Sequence, residues 1–302
     1  MSESFRAGTA AIVGRPNVGK STLLNRLVGQ KISITSRKPQ TTRHRVLGIH
    51  TQAEFQAVFV DTPGFQIRHG GRLNAALNRS VRTALADTDA VILVIEAGRY
   101  GREDRQVAEL LPENKPLILA LNKLDRIKER ASLLPFLQEM QVVFPAAALV
   151  PLSAQQGAGV AELYRALAQC LPEGPPLYGE DEVTDQSERR LAAEFIREKL
   201  FRLCGEEIPY GTAVAIDKFE SEGNLRRIHA TILVDKESHK AIVIGQGGEK
   251  LKAISSQARQ DMEKTFDARI YLETWVKVKG GWALPSQNPI DDALPHSCVN
   301  TA

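Results

Sequence analysis

Residues 9–13 form a short apolar run that breaks into Gly14-Arg15-Pro16-Asn17-Val18-Gly19-Lys20-Ser21, and helical sequence follows from Thr22 onward. A strand, a glycine-rich loop and a helix in that order open an α/β sheet. Further apolar runs at 57–60, 90–95, 117–121 and 148–152 alternate with amphipathic segments and read as strands buried on both faces. The run 44–51 precedes 54–61 with only two or three residues between, too few for a parallel crossover, so these two strands are expected to be antiparallel. The first half therefore predicts a mixed, mostly parallel sheet with one antiparallel edge strand and helices on both faces.

With 302 residues the chain is long enough for two cores. Residues 171–182, rich in Pro, Gly and acid, cannot continue a helix and mark a boundary near residue 175, with a linker over 176–186. Beyond it, Leu191, Phe195, Ile196, Leu200 and Leu203 repeat at helical spacing. Strand-like runs follow at 213–219 and 228–234, then a short helical stretch that reaches Gly245-Gln246-Gly247-Gly248. Leu251, Ile254, Ala258 and Met262 mark another helix, and a strand over 269–278 closes an α, β, β, α, α, β order. The tail 283–302, with three prolines and no apolar periodicity, is expected to be poorly ordered.

Hydrophobic content of 43% with 25% charged residues excludes a largely disordered chain. The three cysteines, Cys170, Cys204 and Cys298, are scattered and suggest neither a disulfide framework nor a thiolate zinc site, which fits a reducing cytoplasm. The N-terminus lacks the apolar stretch of a signal peptide, and no run approaches the roughly 18 apolar residues of a membrane span, so any contact with an inner membrane would be peripheral. Residues 1–180 carry 22 Lys and Arg against 16 Asp and Glu; residues 181–302 carry 17 against 20, yet residues 224–280 carry 11 against 7. A nucleic-acid surface in the second half must therefore be a patch.

The glycines of the 14–21 loop let backbone N–H groups curl around phosphate oxygens at a helix N-terminus. Lys20 is expected to reach the β and γ phosphates, and Ser21, with Thr22 beside it, to offer a hydroxyl to Mg²⁺. Asp61-Thr62-Pro63-Gly64 ends the second strand of the hairpin, placing the Asp61 carboxylate for a Mg²⁺ water and the Gly64 N–H for the γ-phosphate. Asn122-Lys123-Leu124-Asp125 follows an apolar strand, so that Asp125 can accept from guanine N1–H and the exocyclic amine, a donor pair that adenine lacks. Ser153-Ala154-Gln155 supplies a small loop whose Ala154 N–H is placed for the guanine oxygen.

These boxes, in this order, resemble the translation-factor-like P-loop GTPases. Gly245 to Gly248 between two helices resembles the Gly-x-x-Gly loop of a type II KH domain. Together with residues 31–36, 41–45 and 275–282, the chain resembles the Era/TrmE-like GTPases in the branch that carries a C-terminal KH domain. The resemblance implies Mg²⁺-dependent hydrolysis of GTP to GDP and phosphate, a monomeric RNA-binding switch, and action in 30S subunit assembly through 16S rRNA near its 3′ end. It implies that Thr42, preferred over Thr41, closes on Mg²⁺, and that Lys20, Thr42 and Gly64 serve catalysis. It implies RNA contacts from Ile244, Gly245, Gln246, Gly247, Gly248, Lys250 and Lys252, with no cation in the Gln246-Gly247 pair. Phe65 stands where many regulatory GTPases keep a water-orienting glutamine, with Gln66 one residue late, so turnover is expected to be slow; Asn17 resembles the asparagine that helps some relatives bind an activating K⁺. The competing reading is a signalling-type GTPase whose KH-like domain contacts a protein or a peripheral membrane partner.

Overall fold

A computed structural model describes residues 4–36, 45–62, 81, 83–129, 131, 133–205 and 211–279. The chain divides into two compact units, Met1–Gln186 and Ser187–Ala302.

The first unit is built on strands β1 (Arg6–Val13), β2 (Val46–Thr51), β3 (Phe55–Asp61), β4 (Ala90–Glu96), β5 (Leu117–Asn122) and β6 (Ala148–Pro151) in the order β2-β3-β1-β4-β5-β6. All neighbours are parallel except β2 and β3, which pair antiparallel from Val46↔Asp61 to Thr51↔Gln56. The central strands lose almost all solvent contact, as the apolar runs require: Ile12, Ile92, Leu93, Val94, Ile118 and Leu119 are fully buried. Expected to be buried on both faces, β6 is instead an edge strand with Ala148 exposed and only Val150 buried. Among the described residues it pairs only with β5.

Helix α1 (Lys20–Val28) lays Leu23, Leu24, Leu27 and Val28 on the sheet. It ends at Gly29, whose N–H returns to the Asn25 carbonyl. Helices α2 (Arg102–Ala108), α3 (Leu133–Val143) and α4 (Val160–Cys170) follow β4, β5 and β6 in turn. Residues 171–184 run along the sheet. Pro172 and Phe5 carbonyls accept from Ala7 and Gly174 N–H, and Gln56, fully buried, accepts from the N–H groups of Leu177 and Tyr178 while its amide donates to the Tyr178 carbonyl. Farther on, Val183 accepts from Ile49 N–H, and Thr184 Oγ1 donates to the Leu47 carbonyl. The outer edge of β2 is thereby covered, which removes donors and acceptors that would template pairing with another chain.

The second unit contains α5 (Glu188–Leu203), β7 (Thr212–Glu222), β8 (Leu225–Val234), α6 (Glu237–Ile244), α7 (Glu249–Phe266) and β9 (Arg269–Val278). Ser187 caps α5 by accepting from Arg190 N–H. The sheet order is β7-β8-β9, antiparallel then parallel, with a bulge between Ile216 and Lys218. Leu191, Phe195, Ile196 and Leu200 of α5 meet Ile254, Ala258 and Met262 of α7 over the inner sheet face of Ile228, Ala230 and Ile232. Each such side chain contributes about 1.5–3 kcal/mol on burial.

Candidate functional site

At the C-terminal end of β1 the chain turns through Gly14 and Gly19, whose φ values are +155° and +103°. A Cβ at Gly19 would stand 2.3 Å from Asn122 Nδ2, and one at Gly14 2.5 Å from the Val94 carbonyl oxygen, so backbone conformation and close approach both exclude a side chain. Asn17 sits exposed with φ 64°. Lys20 is buried, and its Nζ donates to the carbonyls of Gly14 and Arg15 at 3.0 Å each. Burial pulls the Lys20 pKa down to about 8, against the opposing pull of the Asp61 carboxylate.

Ser21, in the first turn of α1, donates through Oγ to Asp61 Oδ2 at 2.8 Å, and Ser33 Oγ donates to the same oxygen at 3.1 Å. Hydroxyl and carboxylate oxygens in contact form the hard donor set that Mg²⁺ takes, so these residues fit that ion. Ser33 lies in the 31–36 segment that carries the resemblance, but nothing in the sequence assigns it a site role. It is held by Asn25, whose Oδ1 accepts from Ile32 and Ser33 N–H and whose amide donates to the Ser33 carbonyl. Thr62, beside Asp61, turns its hydroxyl to the Ile12 carbonyl at 2.9 Å and locks β3 to β1. Thr42, Thr41, Pro63, Gly64, Phe65 and Gln66 lie outside the described residues.

The residues expected to read the base gather around Asn122 at the end of β5. Its amide donates to the Val18 carbonyl at 2.8 Å, while its Oδ1 accepts from Lys123 N–H at 2.7 Å and Ala154 N–H at 2.9 Å. One side chain thus ties the phosphate loop to both base loops. The Ala154 N–H, expected at the guanine oxygen, here donates to Asn122 Oδ1. Asp125 Oδ1 accepts from Ser153 Oγ at 2.5 Å, which fixes the carboxylate that the sequence assigns to base recognition. Arg26 of α1 holds the same loop through the Ala154 and Gln155 carbonyls, at 3.1 and 2.6 Å.

A charge network joins the two sides. Arg15 of the phosphate loop pairs with Asp104, which is buried, at 3.1 Å and with Glu96 at 3.0 Å; Glu96 also accepts from Lys123 at 3.0 Å. Burial alone would raise the Glu96 carboxyl, but the bonds from Lys123 and Arg15 carry it below its ordinary value. The only sequence signal for this residue was an acid at the end of a strand otherwise buried on both faces.

In the second unit, Gly245, Gly247 and Gly248 have φ of +74°, +58° and +81° between α6 and α7. A Cβ at Gly245 would stand 2.8 Å from that of Lys250, whereas Gly247 and Gly248 face open space. Ile244 and Lys250 are half-buried; Gln246 and Lys252 are exposed.

Residues 9–123 match a family model described as a 50S ribosome-binding GTPase, and residues 207–283 match one described as a KH domain. GTPase Era of Nitrosomonas eutropha is 56% identical over 290 residues, covering 96% of both chains. The chain belongs to the Era GTPase family. GTPase Era of Chromobacterium violaceum is 57% identical over 279 residues, covering 92% of this chain and 94% of that one. A crystal structure of Aquifex aeolicus Era bound to GDP·AlF4⁻ superposes with a TM-score of 0.88 at 39% identity, covering 93% of this chain and 97% of that one. An Era complex with MgGDPNP and nucleotides 1506–1542 of 16S ribosomal RNA gives 0.87 at 39%, covering 93% and 96%. As an Era-family member the chain is a P-loop GTPase with a KH domain, and these relatives do not favour the signalling alternative. No helix among the described residues is long and apolar enough to cross a membrane.

Proposed function

We propose that this GTPase is a GTP-controlled binder of 16S rRNA near its 3′ end, acting in 30S subunit assembly, with GTPase residues 1–175, a connection over 176–186 and RNA-binding residues 187–282. The reading is supported by a left-handed glycine loop beside buried Lys20, with Asp125 held by Ser153, in one unit and an exposed Gly-x-x-Gly turn between two helices in the other. The Era complex with 16S nucleotides supports the RNA class. The description of the GTPase family model concerns the 50S subunit and covers only residues 9–123, so it says nothing of what the second unit takes.

In this mechanism the nucleotide phosphates enter the loop of Gly14, Arg15, Pro16, Asn17, Val18 and Gly19, and the Lys20 ammonium transfers its bonds from loop carbonyls to phosphate oxygens. Asp125, fixed by Ser153, selects guanine. Mg²⁺, held by Ser21 and through water by Asp61, neutralises charge between the β and γ phosphates; Thr42 and Gly64 complete the GTP state. Phe65 cannot orient water, so unassisted turnover falls at or below the order of 10⁻² s⁻¹. Asn17, exposed and left-handed, would help hold an activating K⁺; equal rates in K⁺ and Na⁺ would remove that role. Release of RNA on hydrolysis resets the switch.

Crosslinking in cells tests the reading. It predicts enrichment of 16S 3′-terminal fragments, lost in Gly245→Asp and Gly248→Asp variants that still bind GTP; recovery of no rRNA fragment would contradict it.

A further inference from the structure

The outer face of the KH sheet carries side chains that neither the GTP site nor the Gly-x-x-Gly turn uses. Inner residues Ile228, Ala230 and Ile232 pack beneath the helices, so alternation turns Arg227 and His229 of β8 and Tyr271 and Trp275 of β9 outward. Tyr271 and Trp275 remain 43% and 44% exposed. Register sets Arg227 opposite Tyr271 and Thr231 opposite Trp275, with His229 between. The Arg227 guanidinium lies 5.7 Å from the Tyr271 ring centre, and the His229 ring lies 6.4 Å from Tyr271 and 5.6 Å, edge-on, from Trp275. Two strands thus present a continuous strip of one guanidinium plane and three rings.

We infer that this strip is a second single-stranded RNA surface, on which bases stack after the strand leaves the Gly245–Gly248 turn. The inference rests on the RNA-binding reading above and extends it to the opposite face of the sheet.

Three observations select RNA as the occupant. A Gly-x-x-Gly loop clamps about four nucleotides, whereas the RNA in the Era complex spans nucleotides 1506–1542. The turn and the strip are also linked by geometry. Ser255 Oγ, seven residues beyond Gly248 and so about 10 Å along α7, meets Thr274 Oγ1 at 2.7 Å on the inner face of β9. Trp275 is the next residue and faces the other way, and β9 is the sheet's edge, so a strand following α7 crosses one edge to reach it. Finally, the carboxylates on this face are engaged by neighbours: Glu220 by Lys218, Glu222 by Arg227, Glu273 by the Tyr271 hydroxyl and Asp217 by Thr231. These four carboxylates stand against Lys218, Arg227 and, by alternation along β9, Lys277, so the face carries no excess of positive charge and stacking rather than phosphate attraction supplies the affinity.

The test uses the full chain, with anisotropy on two RNAs: nucleotides 1506–1542 and a short single strand long enough only for the turn. Replacing both rings, Tyr271→Ala with Trp275→Ala, should weaken the long RNA about 5- to 30-fold and the short one less than twofold. Trp275→Phe alone, which keeps a stacking ring, should recover most of the affinity. In a Trp282→Phe background Trp275 is the sole indole, and its fluorescence should be quenched by the long RNA only. Equal affinity of the double variant and the parent for the long RNA, or an unquenched Trp275 in the bound complex, overturns the inference while leaving the turn as an RNA site; such a face would then suit a protein partner. Failure of the unaltered chain to bind either RNA overturns both readings.

Discussion

Ser21 Oγ and Asp61 Oδ2 meet at 2.8 Å, although one residue lies in the first turn of helix α1 and the other ends strand β3, 40 positions later. The parallel pairing of β1 with β3, from Arg6↔Phe55 to Ile12↔Asp61, brings the two ends to one height. The oxygens that fit Mg²⁺ are thus positioned by sheet register, with the Thr62 hydroxyl on the Ile12 carbonyl as a lock.

Asp61→Asn keeps the size of the side chain and removes its charge. Mg²⁺ titration of GTP hydrolysis should show apparent affinity for the ion 10- to 100-fold weaker, the range for groups that act on a metal through water. An unchanged Mg²⁺ midpoint would move the carboxylate out of this role.

Lys20, drawn down to about 8 by burial, is mainly protonated at pH 7 and largely neutral at pH 9. Phosphate oxygens favour its charged form, so nucleotide binding at pH 8.5 should take up a proton that binding at pH 7 does not. Calorimetry in buffers of different ionisation enthalpy measures this directly. Equal proton counts at the two pH values would contradict the account of Lys20.

Glu96 carries Arg15 and Lys123 together, and Glu96→Gln should weaken GDP binding several-fold while costing about 2 kcal/mol of stability at pH 7. The carboxyl is held below its ordinary value, so its contribution is complete above the unfolded-state pKa and is lost as pH falls through the folded one. Denaturation of variant and parent should therefore converge in acid. A gap that persists below that window would show that charge is not what Glu96 supplies.

Asp125→Asn should lower guanine nucleotide affinity by at least about 10²-fold and shift preference toward xanthine, because the second carboxylate oxygen no longer matches the guanine donors. Competition between GDP and XDP reads this out. Retained guanine selectivity would mean that another group reads the base.

The residues legible in the sequence were those whose chemistry demands one residue type at a fixed local spacing. Gly14, Gly19, Lys20 and Ser21 follow from the need for bare backbone, an ammonium and a hydroxyl within one turn, and Asp125 follows from the donor pair of guanine. Parallel strands β1, β4 and β5 were equally plain, since burial on both faces leaves unbroken apolar runs. Long-range partnerships were not legible. Asp104 meets Arg15 across 89 positions, and Arg26 meets Ala154 across 128, with no local pattern to announce either. Acid, Pro and Gly in residues 171–182 marked a boundary and a linker, but composition does not reveal that buried Gln56 clasps Leu177 and Tyr178 of that segment. β6 misled for a related reason: an apolar strand of four residues reads the same at a sheet edge as at its centre.

The central claim is that the nucleotide controls the RNA. It is tested most directly by the affinity of the full chain for nucleotides 1506–1542 of 16S rRNA, measured with a non-hydrolysable GTP analogue and with GDP. The account predicts at least a fivefold difference, the lower end of ordinary coupling between sites, and an equal shift in nucleotide affinity when RNA is added first. RNA affinities that agree within twofold in the two nucleotide states would contradict it.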